Sequence, residues 1–243
     1  MSTPYIRNAG ISGLLVTFAD QLSDDANRAA LAFRSAVDLS NIEGVTETSN
    51  SLVSTLVLFD PTRLARETLS NKLNELLHSQ DWFSESTLHS NRLWRVKACF
   101  DAEHAPHLSE VASLTGLSVE AAINEVLATR VRVMTIGFAP GQPYLGTLPP
   151  NWDFPRLSSI TAQVPAASLV VALRQLIFFT NDSPTGWRQI GQTAFKNFDT
   201  SSDSPFKLQT GDEIEFLRVS SDEISRCLSD PLRTEAADLV TAI

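Results

Sequence analysis

The residues best suited to hold a small ligand lie in the sequence NDSPTGWRQIGQT, at positions 181–193. Ser183 and Pro184 predict a turn, Gly186 loosens it, and Trp187 follows directly. Such a run exposes backbone N–H groups and a hydroxyl beside an aromatic wall, which is a common way to hold a small carboxylate or amide. The same pattern is typical of a hairpin turn whose tryptophan packs in the core, and this alternative stays open.

A second segment, GFAPGQPYLGTLP at 137–149, is apolar and stiff, unlike the polar sequence of an ordinary linker. It holds three glycines and three prolines in thirteen residues. Because proline fixes φ and glycine permits positive φ, the run specifies a particular loop shape. We expect this loop, through Tyr144, and the Trp187 hairpin to outline one concave face. A purely structural turn is the alternative.

Charged candidates are few. Arg156 is suited to clamp a carboxylate in bidentate fashion, although a lone arginine beside a proline is more often a surface salt-bridge partner. His104, His107 and Glu110 have a spacing that makes a metal site conceivable. Pro106 favours a helix start there, so we interpret the segment as a solvated helix N-terminus and predict no metal. The sequence contains no GxSxG elbow and neither common phosphate-binding motif.

Composition describes an ordinary folded protein. The 243 residues carry a formal net charge of −9, which argues against nucleic acid or an anionic membrane as the main partner. Cys99 and Cys227 lie far apart and form neither a zinc signature nor a disulfide framework. Neither a signal-peptide pattern nor a stretch long enough to span a membrane is present, so we expect a cytoplasmic protein.

The elements that must position these residues fall into two domains. Residues 1–90 predict an α+β domain, with two helices packed on one face of an antiparallel sheet. Strands are expected at 13–19 and 52–59, Ser23 caps the first helix, and Asp60-Pro61 predicts the start of the second. We place the domain boundary in the polar stretch 78–91.

Residues 91–221 predict a mainly-β domain, either a sandwich or a barrel. Ser118 is expected to cap a helix in an insertion that separates two of its strands. The tail, 222–243, is expected to be helical. The strands of this domain are expected at 93–100, 131–138, 168–173, 175–180 and 214–219.

The motifs occur in a fixed order that resembles the KipI / allophanate hydrolase subunit 1 family, which includes the 5-oxoprolinase B-subunit. The resemblance covers residues of about 10 to 220. The pieces that carry it are the 137–149 loop, Pro155-Arg156, Val164-Pro165-Ala166 with Ser168, Ser183-Pro184, Gly186-Trp187, Ile190-Gly191 with Thr193, and Gly211-Asp212 with Phe216.

This resemblance implies a ferredoxin-like N-terminal domain and a cyclophilin-like C-terminal β-barrel. It implies a subunit of a heteromeric ATP-dependent 5-oxoprolinase or allophanate-hydrolase-like enzyme, acting on a small cyclic amide or urea-like substrate. The partner would be a homologous protein like the 5-oxoprolinase C-subunit, and ATP would bind in the complex rather than to this chain alone. The alternatives are a KipI-like inhibitor of a histidine kinase and a catalytically degenerate paralogue.

The resemblance also implies a substrate site with Tyr144 and Trp187 as walls. Ser183 would donate a hydrogen bond and Arg156 would neutralise a carboxylate. No catalytic residue is identified. The expected substrate-binding residues are Pro140, Gly141, Tyr144, Leu145, Arg156, Pro165, Ser168, Gln175, Ser183, Pro184, Gly186 and Trp187.

Several positions depart from the family pattern. Gln142 replaces a phenylalanine, and Ala167 and Thr185 replace glycines. The stretch 170–180 replaces a glycine-rich strand pair whose glycines correspond to Val170, Leu173 and Ile177. Where the glycine has positive φ, a side chain costs about 1 kcal/mol; where it lets a ligand approach, a side chain fills the space. We therefore predict a remodelled ligand surface. The apolar run 176–179 favours the regulatory alternative.

Overall fold

The computed structural model describes residues 3–84 and 92–241 of the chain. The chain divides into two compact units, Met1–His89 and Ser90–Ile243, and each has its own hydrophobic core. The boundary predicted at 78–91 falls in part on residues 85–91, which lie outside the described residues. Within the described part of the chain, no single helix has the length and hydropathy of a membrane span. The helices Leu108–Thr115 and Val119–Ala128 meet that test only jointly, across an 83° bend.

The first unit combines an antiparallel sheet with helices, as predicted. Helices α1 (Asp24–Leu39) and α2 (Arg66–Leu77) contribute to the same core as the strands. Over residues 3–84 the sheet order is β1-β2-β4-β3, with β1 (Tyr5–Asn8), β2 (Gly13–Thr17), β3 (Val45–Ser51) and β4 (Ser54–Phe59).

The ferredoxin-like assignment of this unit stays a prediction. In a ferredoxin-like β-α-β-β-α-β chain the last strand follows the second helix. Here the sheet position beside β2 is occupied by β1, which precedes both helices.

The two predicted helix starts have different outcomes. Ser23 has extended backbone, and its side chain accepts a hydrogen bond from the Ala26 N–H at 3.2 Å, so this cap is confirmed. The start predicted at Asp60-Pro61 is wrong, because α2 begins at Arg66. Asp60 Oδ1 instead accepts hydrogen bonds from the N–H and the hydroxyl of Thr62, which makes a local turn.

The second unit contains a closed barrel. In its described part, seven strands pair in the order β12-β9-β10-β7-β6-β13-β5, and β5 pairs back onto β12. The predicted barrel is confirmed in this form, and the cyclophilin-like name stays a prediction. The seven barrel strands are β5 (Arg92–Cys99), β6 (Val131–Ile136), β7 (Pro143–Gly146), β9 (Ser168–Ala172), β10 (Gln175–Phe178), β12 (Arg188–Thr193) and β13 (Glu213–Arg218). Two further strands, β8 (Thr161–Val164) and β11 (Ser183–Thr185), pair with each other in a separate sheet.

Side-chain alternation divides the barrel wall at β9 and β10 into two faces. Leu169, Val171, Leu176 and Phe178 point into the barrel core. Val170, Ala172, Ile177 and Phe179 form a separate outer cluster that also contains Val164 of β8. The two-stranded ribbon of β8 and β11 therefore packs on the outside of the barrel, which explains why every residue of β9 and β10 is buried.

The predicted helical insertion is confirmed as α3 (Leu108–Thr115) and α4 (Val119–Ala128). The Ser118 side chain accepts a hydrogen bond from the Ala121 N–H at 3.2 Å, so it caps α4 as predicted. Helix α3 contacts β12, and α4 contacts β13. The insertion thus packs against the barrel wall.

The tail differs from the helical prediction for 222–243. Helix α5 (Ser221–Ser229) is followed by a strand, β14 (Ala237–Thr241), which pairs antiparallel with β5. Strand β12 pairs only with the C-terminal end of β5, at Ala98 and Cys99. The remaining backbone groups on that edge of β5 need partners, and β14 supplies them.

Candidate functional site

A cavity of about 180 Å³ lies on the outer face of the barrel wall, beside the β8–β11 ribbon. Its lining combines β7 and the loop before it, the loop before β8, the end of β10, and β11 with the turn that follows. The structure therefore brings together the two segments that we expected to outline one concave face. Five of the predicted site residues line it: Tyr144, Arg156, Pro184, Gly186 and Trp187.

Tyr144 and Trp187 form one wall of the cavity. Their ring centroids lie 6.2 Å apart at an interplanar angle of 75°, which is a favourable edge-to-face arrangement. The backbone N–H of Trp187 donates to Thr185 Oγ1 at 3.0 Å, and this bond stabilises the turn that precedes the ring. Trp187 is 4% exposed and also belongs to the outer apolar cluster. Both interpretations of this tryptophan therefore hold in part, since it packs in a core and walls a cavity.

Arg156 is the cation of the cavity lining. Its guanidinium lies over the Trp187 ring, 5.2 Å from the centroid. The side chain is exposed, and it forms no ion pair with any residue in 3–84 or 92–241. The surface salt bridge that we considered is thus not formed there. The guanidinium keeps its fork of N–H donors available to a ligand at the cavity mouth.

Three further predicted residues have side chains that are used within the protein. Leu145 is fully buried in the barrel core. The Ser168 hydroxyl donates to Gln192 Oε1 at 2.9 Å. The Ser183 hydroxyl, expected to meet a ligand, donates instead to the Asn181 carbonyl at 3.1 Å. None of the three lines the cavity.

The remaining predicted residues also lie outside the lining. Pro140 and Pro165 are exposed. Gln175 is buried on β10, beyond the lining. Gly141 is buried at a φ of +74°, and a Cβ there would lie 2.9 Å from the Phe198 Cβ. Its role in the structure is to shape the loop that leads into β7.

Sequence reasoning missed about half of the lining: Phe138, Gln142, Ile160, Ile177, Phe179 and Thr185. A signal for some of them was present. Gln142 stands where the family pattern has phenylalanine, and Ile177 and Thr185 stand where it has glycine. These three departures therefore lie in the cavity lining, where a substituted side chain changes the shape and polarity of the cavity.

Glycine replacement has two structural outcomes. Ala167 and Leu173 have φ values of +63° and +52°, so side chains at these positions carry the predicted conformational cost. Thr185 and Ile177 do not have positive φ, and their side chains line the cavity instead. The structure thus contains both effects that the glycine losses predicted.

Asp182 holds the hairpin beside the cavity. Its Oδ1 accepts a hydrogen bond from the Ala166 N–H at 2.8 Å, and its Oδ2 accepts one from Gln163 Nε2 at 2.9 Å. These bonds lower the pKa of Asp182, the backbone N–H having the larger effect. The carboxylate therefore ties the β8–β9 loop to the segment that leads into β11.

His107 and Glu110 anchor the helical insertion. His107 Nδ1 accepts a hydrogen bond from the Gln189 N–H at 3.0 Å. Glu110 Oε1 accepts one from Arg188 Nε at 2.9 Å. Both side chains thus join the start of α3 to β12. Among residues 3–84 and 92–241, no group of three or more His, Cys, Asp or Glu side chains is arranged to hold a metal ion.

Two relatives resemble most of this chain in sequence. The 5-oxoprolinase B-subunit of Bacillus subtilis (strain 168) is 26% identical over 225 residues, which cover 88% of this chain and 92% of that protein. The 5-oxoprolinase B-subunit of Escherichia coli O157:H7 is 30% identical over 183 residues, which cover 74% of this chain and 80% of that protein.

Two solved structures share its fold. The crystal structure of TTHA0988 matches 89% of this chain with a TM-score of 0.71 and 28% sequence identity, and this chain spans only 40% of that longer one. The Kluyveromyces lactis urea carboxylase matches 98% of this chain with a TM-score of 0.74, over 24% of its own length. At 16% identity the latter likeness concerns the fold alone.

The family described as carboxyltransferase domain, subdomain C and D, matches residues 4–208. This match includes the loop into β7, the β8–β11 ribbon and the Trp187 turn, which together form the cavity. The chain belongs to the carboxyltransferase domain family, subdomain C and D.

Proposed function

We propose that this chain is a subunit of a heteromeric ATP-dependent amide hydrolase of the 5-oxoprolinase or allophanate hydrolase type, assembled with a homologous partner like the 5-oxoprolinase C-subunit. Two relatives that bear the name of the 5-oxoprolinase B-subunit support this role. The observation that carries the proposal is the cavity walled by Tyr144 and Trp187, with Arg156 at its mouth.

The chemistry of the cavity supports a small cyclic amide or urea-like substrate. Aromatic and aliphatic walls favour a flat ring, and a volume of about 180 Å³ limits its size. The Arg156 guanidinium is suited to a carboxylate at the edge of such a ring. A compact ring with one anionic group meets both requirements.

The same lining supports a role in binding rather than in bond cleavage. It supplies walls, hydrogen-bonding groups and one cation, which hold and orient a ligand. Hydrolysis of an amide also needs an activated nucleophile and a proton donor. We therefore assign these groups, and the ATP, to the assembled enzyme rather than to this chain alone.

The regulatory alternative loses one of its arguments. The apolar run 176–179, which favoured a docking surface for a histidine kinase, is buried. Leu176 and Phe178 lie in the barrel core, and Ile177 and Phe179 face the cavity. These side chains are 0–4% exposed and offer little area to a protein partner.

Purification of the tagged full chain from its native host tests the assembly. We expect it to recover a homologous partner, and the complex to consume ATP when it is given 5-oxoproline. Recovery of a histidine kinase in place of that partner would support the regulatory alternative. A complex that forms but turns over neither 5-oxoproline nor allophanate would identify a catalytically degenerate paralogue.

Arg156→Gln tests the role of the cavity in that complex. Loss of the guanidinium should raise KM for 5-oxoproline by about tenfold or more, because the substrate carboxylate loses a charged partner. Arg7→Gln is the matched control, since Arg7 also lies over an aromatic ring, 4.5 Å from the Tyr5 centroid, in the first unit. Equal KM values for the two variants would contradict the assignment.

A further inference from the structure

Phe138 is an exposed aromatic residue at the mouth of the cavity. It belongs to the cavity lining, yet it is 79% exposed. Within residues 3–84 and 92–241, its ring pairs with no other aromatic ring and has no cation over its face. A single exposed apolar side chain is common on proteins. What distinguishes this one is its place in the lining, where a ligand that enters the cavity can reach it.

The backbone at Phe138 is strained. Its φ is +71°, in the left-handed region that residues with a large side chain rarely adopt. The loop fixes this conformation, because the Gly137 N–H donates to the Gln142 carbonyl at 3.0 Å and the Gln142 N–H donates to the Ala139 carbonyl at 3.1 Å. Glycine adopts positive φ without this cost. The exposed ring buries little surface that could offset the strain, so packing within this chain does not account for it.

The Phe138 ring and the wall formed by Tyr144 and Trp187 border the same space. Tyr144 and Trp187 contact each other edge to face, whereas neither forms a ring pair with Phe138. The Arg156 guanidinium also lies over Trp187 rather than over Phe138. Phe138 thus keeps a free aromatic face at the cavity mouth, where a bound ligand would cover it.

We propose that Phe138 closes the cavity over its ligand, by placing its ring on the face of a planar cyclic amide. The inference rests on the proposed function, in which such an amide lies against Tyr144 and Trp187 with its carboxylate toward Arg156. A planar conjugated ring offers a face on which aromatic side chains stack. Stacking on Phe138 removes from water apolar surface that stays exposed in the free chain.

This role predicts that stability and binding respond to the ring in different ways. Phe138→Gly removes an exposed ring and relieves the strain at positive φ, so the melting temperature should stay unchanged or rise. The same variant should bind 5-oxoproline about fivefold to tenfold more weakly. The heat-capacity change of binding should also become less negative, because less apolar surface is buried in the complex. A ring that served only the fold would lower the melting temperature when removed.

Isothermal titration of the full chain with 5-oxoproline at several temperatures measures both the affinity and the heat-capacity change. Leu173→Gly is the matched control, since Leu173 also has a positive φ, of +52°, and is 44% exposed, but lies outside the cavity lining. It should bind 5-oxoproline like the unaltered chain. Phe138→Asn is a second test, because asparagine tolerates positive φ and lacks the ring, and it should weaken binding as Phe138→Gly does. Thermal melting reports whether each variant is folded.

Absence of 5-oxoproline binding by the unaltered chain would overturn the proposal, and so would full affinity in folded Phe138→Gly or Phe138→Asn. An equal loss of affinity in Leu173→Gly would also overturn it, because the cavity lining would not be the cause. The two proposals fail separately. A chain whose binding depends on Phe138 but which recovers no partner contradicts the proposed assembly alone. An active complex in which Phe138→Gly leaves KM for 5-oxoproline unchanged contradicts the role of Phe138 alone.

Discussion

Ala167 and Leu173 hold left-handed backbone conformations although neither is glycine. At Ala167 the neighbouring strands impose this geometry. Its N–H donates to the Phe179 carbonyl at 2.7 Å, and its carbonyl accepts from the Thr193 N–H at 2.8 Å. These bonds fix the backbone on both sides, so the conformational cost persists in the folded state. The barrel has therefore kept a geometry that glycine adopts more readily.

Ala167→Gly should leave the free energy of unfolding unchanged or raise it by up to about 1 kcal/mol, because relief of the steric cost of a Cβ at positive φ, about 1–2 kcal/mol, offsets or exceeds the effect of the freedom that glycine adds to the unfolded chain. The matched control is Ala166→Gly, at a neighbouring alanine whose φ is not positive. There the greater freedom of the unfolded chain should lower the free energy of unfolding by a similar amount, about 0.5–1 kcal/mol. Urea denaturation of both variants provides the comparison. Equal losses in the two would show that the backbone at position 167 is not strained.

Single residues also show how far the site could be predicted from the sequence. Tyr144, Arg156 and Trp187 could be found because aromatic rings and a lone cation stand beside turn residues that restrict their positions. Ser183 could not be excluded, because nothing in the sequence indicates that its hydroxyl bonds to Asn181. Gln142 was noticed as a departure from the pattern, but only the structure shows that it lines the cavity.

At the scale of elements, local signals predicted some boundaries better than others. Ser118 could be recognised as a cap because the interaction spans three residues, to Ala121. Asp60-Pro61 was misleading because the same pair is compatible with a helix start and with a turn. Strand β14 was missed because its stability comes from pairing with β5, more than a hundred residues earlier in the sequence. Such long-range pairing leaves no local signal.

Ser118→Ala should destabilise the second unit by about 1 kcal/mol, because the Ala121 N–H loses its side-chain acceptor at the start of α4. Ser113→Ala in α3 is the control. The Ser113 hydroxyl only donates to the Ser109 carbonyl within the helix, so its loss should change stability by less than about 0.5 kcal/mol. Thermal or urea denaturation followed by circular dichroism measures both. Losses of the same size would contradict the capping role.

At the scale of the whole molecule, the acidic character of the chain has a consequence for stability. The net charge is −9, and many carboxylates accept hydrogen bonds that stabilise their ionised form. Hydrogen bonds from backbone N–H groups lower the pKa of Asp230, and a hydrogen bond from Arg130 lowers the pKa of Glu215. Asp212 is an exception, since burial raises its pKa despite the hydrogen bond from Trp94.

Asp199 is the most strongly shifted of these carboxylates. Lys196, followed by Ser201, holds the pKa of Asp199 far below its usual range. A carboxyl whose pKa is lower in the folded state takes up a proton on unfolding in acid. Its stabilising effect is therefore complete above about pH 4–5, near the unfolded pKa, and is lost progressively as the pH falls toward the folded pKa.

We therefore expect the free energy of unfolding to fall as the pH is lowered from about 5 to 3. It should fall less steeply in Asp199→Asn, because that variant has one fewer proton to take up on unfolding.

Asp203→Asn is the control. Asp203 lies on the same loop and makes no hydrogen bond or ion pair within the described residues. Urea denaturation at several pH values should give this control the slope of the unaltered chain. The slope rather than the stability at neutral pH is the decisive quantity, since Asp199→Asn also loses its ion pair with Lys196. If Asp199→Asn kept the slope of the unaltered chain, the loss of stability in acid would have to arise at other carboxylates.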